Sequence, residues 1–405
     1  MTEAAVHTHG GPARDSYRPP APDAGNVAAL SRTPWVDNLR VALTALVVAH
    51  HAVQPYAFHG LWWVVDPAPP EPALGLYLWI NASFFMGLFF LLAGAFTPSS
   101  IARKGTRAFL RDRAIRLGIP LLFGLFVMIP LLGYYAHLHN RSMGWISFPE
   151  YARHYFFGIG PRPTDWPDAR FPDVQFGHLW FLQHLLLYAV VYAGWRSFRP
   201  VAAKNPGAPP GDATIALYAV ALGLVTWIVR LRYPQDTWVA LLGFIQTEPA
   251  HFPQYVSLFA IGVIAGRRGW LASLPAATGW RWLRVGVGLA LLQCVRAAWT
   301  GTIHLNSLDT CLWEAFQCVG LCIGLLVAAR ELWNRAGWVT RALAPDAYGV
   351  YIFHVAVLVA IQHALLPAQL GAGTKAAVAV LAGIVCSFAL VHLVVRRLPG
   401  VTRVL

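Results

Sequence analysis

Apolar residues fall along this chain in long unbroken blocks, not in the alternation of a strand or the single stripe of a soluble helix. Ten stretches of about 17 to 25 residues, the length a helix needs to cross hydrocarbon, lie near 38–58, 74–97, 117–137, 178–195, 214–231, 251–266, 283–299, 311–329, 346–366 and 375–395. The sixth is the weakest, because Pro249 and Pro253 interrupt its start. The preceding run, 238–246, is too short to span and is expected to be an interfacial or re-entrant piece. The pattern predicts an all-α, polytopic integral membrane protein, a bundle of about ten transmembrane helices spanning 34–398. Residues 1–33, rich in Gly, Pro and Ala, read as a disordered cytoplasmic tail, and 399–405 as a short cytoplasmic C-tail. No internal repeat stands out, which argues against an inverted-repeat transporter.

Composition agrees with that class. Apolar residues make up 57% of the chain and charged ones 12%, about half the charged share of a soluble domain. With the N-terminus inside, the N-tail, the loops after even-numbered helices and the C-tail together hold 23 of the 31 Lys and Arg residues. That split follows the positive-inside rule, places both termini in the cytoplasm and accounts for the net charge of +13 as topology and contact with anionic lipid. It needs no nucleic acid, and no nucleic-acid-binding module is visible. The five cysteines all fall within predicted helices without metal-binding spacing, so no metal is expected.

Chemistry must then reside in the helices and their loops. Arg40 and His51 lie eleven residues apart on the first helix, three turns plus about 20°, so both face one way, roughly 16 Å apart along the axis. A cation at the membrane edge below an imidazole near the midplane is costly in lipid and reads as a reaction site. Taken alone, Arg40 is also an ordinary snorkelling charge. His50 points about 100° away and reads as packed or hydrogen-bonded. The loop after the second helix carries Arg103, Lys104, Arg107, Arg111, Arg113 and Arg116, and Arg113-x-x-Arg116 puts two guanidinium groups on one face where they suit phosphate oxygens. Such a run serves orientation and lipid headgroups equally well.

These marks, in order, are similar to the membrane-bound acyltransferase type 3 family. They are Asp37-Asn-Leu-Arg40 with His50-His51-Ala, Phe89-Phe-Leu-Leu-Ala-Gly-Ala-Phe96, Arg113-x-x-Arg116-Leu-Gly-Ile-Pro-Leu, Gly177-His-Leu-Trp-Phe-Leu182 and Tyr348-Gly-Val-Tyr-Ile-Phe-His354. The resemblance runs from about residue 35 to 395. It implies a transferase of the cell inner membrane that takes an acyl group, most often acetyl, from cytoplasmic acyl-CoA to a carbohydrate or small hydroxylated acceptor outside. It assigns Arg40 and His51 to the catalytic centre and Arg113 and Arg116, with Arg107 and Arg111 beside them, to the CoA side. It expects serine where Ala93 and Ala347 stand, so any role of those hydroxyls is missing here.

The chemistry is compatible, since neutral imidazole is suited to take a proton from a hydroxyl near pH 7 or to carry an acyl group. A second tier of intramembrane polar groups adds candidates. Glu314, near the outer end of the eighth helix, is read either as orienting a histidine or relaying protons, or as pairing with Arg296. His354, at a depth like that of His51, is either its orienting partner or a packed core residue. His178 and Trp180, at the outer start of the fourth helix, are candidate acceptor contacts or interfacial anchors. Asn81 is expected to bond between helices. The outer loop 138–177 mixes rings with carboxylates (Tyr151, Tyr155, Trp166, Phe171, Asp165, Asp168, Asp173), a combination suited to sugars and equally to a loop folded over the bundle. The rival classes are a transporter or lipid-linked sugar flippase, which predicts flux without thioester cleavage, and a non-catalytic scaffold.

Overall fold

The computed structural model describes residues 34–57, 62–140, 144–164, 166, 171–198, 205–241, 245–301 and 305–405. The N-terminal tail expected over 1–33, together with Asp165 and Asp168 of the outer loop, lies outside these residues. Helix dominates the rest, as the apolar blocks require.

Ten long helices occupy the ten blocks: α1 (Pro34–Ala57), α2 (Pro72–Lys104), α3 (Thr106–Asn140), α4 (Trp180–Phe198), α5 (Asp212–Arg230), α6 (Phe252–Arg268), α7 (Ala276–Thr300), α8 (Leu308–Leu332), α9 (Ala347–Leu365) and α10 (Ala372–Leu393). Six of them, α2, α3, α5, α8, α9 and α10, are long and apolar enough to cross a membrane. The block over 251–266 starts as its prolines predicted, with a tight turn at Pro249–His251 and Pro253 in the first turn of α6, where its missing N–H costs nothing. The run at 238–246 folds as a small antiparallel hairpin, β1 (Val239–Leu241) against β2 (Ile245–Thr247), with Val239 opposite Thr247. Side chains anchor it: Gln183 Oε1 accepts from the Gln246 N–H at 3.0 Å, and Thr247 lies 3.1 Å from His184 Nε2.

Packing sorts the helices into groups. α1 lies against α9 and α10, α2 against α6, and α8 against both α5 and α7. The α2–α6 crossing is the tightest. A Cβ at Gly94 would sit 2.2 Å from the Phe259 carbonyl oxygen, one at Gly262 2.2 Å from that of Leu91, and one at Gly266 2.0 Å from that of Ala95. Only glycine allows the two backbones to touch, the usual means by which helices associate where water exclusion offers no drive.

Two helices depart from regularity. α2 breaks at Ser83–Phe84, and side chains bridge the gap: Gln254 Nε2 donates to the Ser83 carbonyl at 2.8 Å and Gln317 Nε2 to the Ser83 hydroxyl at 2.8 Å. α3 contains two wide π turns, Ala114–Gly118 and Gly124–Met128. The first holds Arg116 and re-aims it relative to Arg113, so the helical-face argument for that pair holds only in part.

Candidate functional site

Three histidines from three elements meet in the bundle. His51 comes from α1, His354 from α9 and His178 from the turn Gly177–Leu179 before α4. Their ring centroids lie 4.9 Å (His51–His354), 5.0 Å (His178–His354) and 6.3 Å (His51–His178) apart. His178 is buried at 7% exposure, so it is no outer-surface residue as its sequence position suggested, and it belongs to the same cluster.

The hydrogen bonds fix which nitrogen carries each proton. His354 Nδ1 faces two backbone carbonyls, Tyr351 at 2.8 Å and Val350 at 3.2 Å, and a carbonyl can only accept, so Nδ1 is protonated. The Nε2 of that neutral ring is therefore a lone pair. It lies 2.9 Å from His51 Nδ1, which donates to it and also faces the Val47 carbonyl at 3.1 Å. His51 Nε2 is left as a lone pair with no hydrogen-bond partner among the described residues. His178 donates through Nε2 to the Ile352 carbonyl at 2.9 Å, and its Nδ1 is buried without a partner.

Trp62, from the connection after α1, is stacked on the His51 imidazole at 5.3 Å. Its indole N–H donates to Gln362 Oε1 at 2.7 Å, and the Gln362 amide donates in turn to the Ala52 carbonyl at 3.1 Å. Farther along the same connection, Asp66 is held by Lys375 at 2.9 and 3.2 Å, both groups buried. Sequence reasoning passed over Trp62 and Gln362. A primary amide in mid-span is itself costly in lipid, and that signal could have flagged Gln362.

Toward the N-terminal end of α1 a cavity of about 660 Å³ opens among α1, α2, α3, α4, α6 and α9. Arg40, Arg103, Lys104, Arg113, Arg116 and Arg396 line it, against two carboxylates, Asp37 and Asp112. Thr44, Phe181 and Tyr351 lie deepest. Thr44 is two turns below His51 on the same face, Phe181 three residues after His178 and Tyr351 three before His354, and the Tyr351 hydroxyl donates to the His178 carbonyl. The cavity therefore runs from a cationic mouth toward the histidine cluster, though none of the three histidines is among its lining residues. Its net positive mouth suits phosphate groups. Arg396, absent from the sequence expectation, is held by the buried carboxylate of Asp346 at 3.0 Å. Arg116 donates to the main-chain oxygens of Val404 and Leu405, and its own carbonyl accepts from the Tyr348 hydroxyl. Arg107 and Arg111 are exposed and do not line the cavity, because they lie on the outward faces of the first turns of α3. Ala93 and Ala347, the two positions expected to be serine, both line it.

The remaining candidates lie elsewhere. Glu314 contacts neither His51 nor His354, and Arg296, its expected partner, pairs with Asp309 at 3.0 Å. Instead Glu314 receives both terminal nitrogens of Arg230 from α5, at 2.8 and 2.9 Å, and His251 Nε2 at 3.3 Å. His251 Nδ1 lies 2.8 Å from Glu248. On Glu248, in the loop outside the spans, burial would raise the carboxyl's pKa, but the charges of His251 and Arg230 more than offset it and hold it below its ordinary value. Trp180 belongs to an aromatic layer, stacked on Tyr255 at 5.2 Å, and not to the histidine cluster. Asn81 makes its expected interhelical bond, to His50 Nδ1 at 3.2 Å. In the outer loop, Tyr155 packs on Trp166 and Trp166 on Phe171, while Asp173 accepts from the Tyr151 hydroxyl at 3.1 Å and from Gln175 at 3.1 Å. Those groups are spent on one another. Among the described residues no group of three or more His, Cys, Asp or Glu side chains could hold a metal ion.

A family model described as an acyltransferase domain matches residues 33–395, nearly the whole described chain. The chain is also 24% identical over 239 residues to proteins named glucans biosynthesis protein C from Salmonella schwarzengrund (strain CVM19633) and from Salmonella typhi, covering 57% of this chain and 57% of each relative. It thus spans a little over half the length of those curated relatives. No solved structure matches it.

Proposed function

The chain belongs to the acyltransferase type 3 family, and on that footing we propose a ten-span enzyme of the cell inner membrane, both termini cytoplasmic, that moves an acyl group from cytoplasmic acyl-CoA to a hydroxyl of a carbohydrate acceptor outside. One observation carries this reading: a cavity with a cationic mouth reaches Thr44 and Tyr351, on the helix faces that carry His51 and His354 farther along, and His51 Nε2 has no hydrogen-bond partner among the described residues. Arg113 and Arg116 hold the phosphates of CoA, with Arg103 and Arg396 adding charge, and Arg40 steadies the pantetheine end. The relatives' name, glucans biosynthesis, supports a carbohydrate acceptor.

The acyl carbon–sulfur bond breaks and a carbon–oxygen bond forms. His51 Nε2 removes the acceptor hydroxyl's proton as that oxygen attacks, and the proton passes to the departing thiolate, which leaves as CoA thiol. The same lone pair is suited to hold the acyl group transiently between donor and acceptor. His354 acts through His51 as a positioning residue, since its Nε2 accepts the His51 Nδ1 proton and so keeps the lone pair on Nε2. Trp62 covers the imidazole and keeps bulk water from hydrolysing the ester being formed.

Inverted membrane vesicles supplied with [14C]acetyl-CoA, acetyl being the smallest group the reaction would carry, test the proposal through label in envelope carbohydrate and release of free thiol. His51→Ala should lose roughly two to four orders of magnitude in both readouts. His354→Gln should lower kcat and leave KM for acetyl-CoA unchanged. Wild-type thiol release from His51→Ala would refute the assignment, and substrate flux without thiol release would replace the enzyme with a transporter.

A further inference from the structure

The cavity has two unlike walls. On the side of α1, α3 and α9 polar groups recur along it, with Arg40, Thr44, Arg113, Arg116, Tyr348 and Tyr351 beside the apolar Val36, Leu117 and Ala347. On the side of α2, α4 and α6 polar groups stop at the cytoplasmic end, where Thr97, Ser99, Ser100, Arg103 and Lys104 lie. Between Phe89 and Phe96 on α2, and on α4 and α6, the lining residues on that side are all apolar, among them Leu92, Leu182, Leu185 and Phe259. The run from Phe89 to Arg103 covers fourteen residues of one helix, about 21 Å, so the apolar gallery lies well away from the mouth. No cation reaches it. Thr44, two turns below His51, and Tyr351 bound its far side, and the Tyr351 hydroxyl is already committed to the His178 carbonyl.

We infer that this gallery receives the acyl chain of the donor, and that the chain is an uncharged hydrocarbon longer than acetyl. The inference rests on the functional reading above and specifies its substrate class. A thioester placed beneath His51 with its phosphates at Arg113 and Arg116 lays the amide-bearing pantetheine arm along the polar wall. The acyl group then turns toward the opposite one. A two-carbon group leaves most of that apolar surface unfilled. An acyl group ending in a carboxylate would bury a charge among Phe89, Leu185 and Phe259 with no cation to meet it, which is strongly unfavourable. A hydrocarbon chain has no such cost and gains at each methylene buried.

The test uses the full chain in lipid nanodiscs, with equilibrium displacement of radiolabelled CoA by acetyl-, butyryl-, hexanoyl- and succinyl-CoA. Affinity should climb roughly three- to fourfold per methylene, about a hundredfold from acetyl to hexanoyl, and succinyl-CoA should bind no tighter than acetyl-CoA. Ala93→Leu, which fills the gallery, should bring hexanoyl-CoA back toward the acetyl-CoA value; an undiminished climb in that variant would place the chain in the bilayer and overturn the inference. Leu185→Lys should turn the preference toward succinyl-CoA. A flat series or a wild-type preference for succinyl-CoA, with CoA still bound, overturns the gallery assignment alone. Failure of CoA itself to bind overturns the functional reading beneath it.

Discussion

Two groups of charge sit at opposite ends of this bundle and are handled in opposite ways. At the end of the bundle where α5 stops and α8 starts, Arg230 is fully buried and its two terminal nitrogens fit the two oxygens of Glu314, with His251 and Glu248 completing the chain. At the end where α1 starts, Arg40 keeps 46% of its side chain exposed and, among the described residues, pairs only with Asp37 at 3.7 Å, while Arg113 lies over the Phe109 ring at 5.1 Å. A buried arginine whose donors meet a carboxylate on another helix ties those helices together. An arginine that faces a cavity with its donors unmatched by carboxylates is still able to take an anion. Paired and buried reads as architecture; open and facing space reads as function.

The comparison breaks most clearly at Glu314. Glu314→Gln leaves the Arg230 charge without its counter-ion, so it should destabilise the fold by about 3–5 kcal/mol, seen as a large fall in thermal midpoint in nanodiscs, while the folded fraction keeps its transfer rate per molecule. Normal stability with lost transfer would place Glu314 in the reaction after all. Arg113→Ala, at the open end, should do the reverse. One charge-assisted contact to phosphate is worth about 1.5–3 kcal/mol, so KM for acyl-CoA should rise roughly ten- to a hundredfold with the thermal midpoint unmoved. Arg281→Ala sharpens the contrast from a third position. Its pair with Asp212 at 2.6 Å is about half exposed on both sides, so stability should change by less than about 1 kcal/mol and transfer not at all, measured in the same two assays.

Much of this was readable from the chain because the signals are local. The blocks that predicted helices hold helices, since length and apolarity are properties of each segment by itself. The Arg40–His51 stripe needed only helical geometry, and the cavity lined by Arg40 and Thr44 runs up that face toward His51. What escaped was pairing across the sequence. Arg230 and Glu314 are 84 residues apart, Asp66 and Lys375 309 apart, and His51 and His354 303 apart, and no periodicity reports which helix will lie beside which. Arg107 and Arg111 are a different case: they share a charge-rich run with Arg103, Lys104, Arg113 and Arg116, all four of which line the cavity, but they sit on the exposed face of the first turns of α3. His178 was misplaced because the glycine before it, at φ +50°, lets the chain enter α4 through a tight turn that carries the imidazole inward.

The glycine contacts between α2 and α6 have a mechanical consequence. Gly94, Gly262 and Gly266 bring those backbones so close that the two rods behave as a single beam, and the beam carries Phe89, Leu92 and Phe259. A seam without side chains between its rods has nothing to compress and nothing to slide on. The facing wall includes α3, whose two π turns interrupt its regular hydrogen-bond ladder, so if the cavity must widen for an occupant, the yielding falls to that side and the glycine-welded beam stays as the fixed wall.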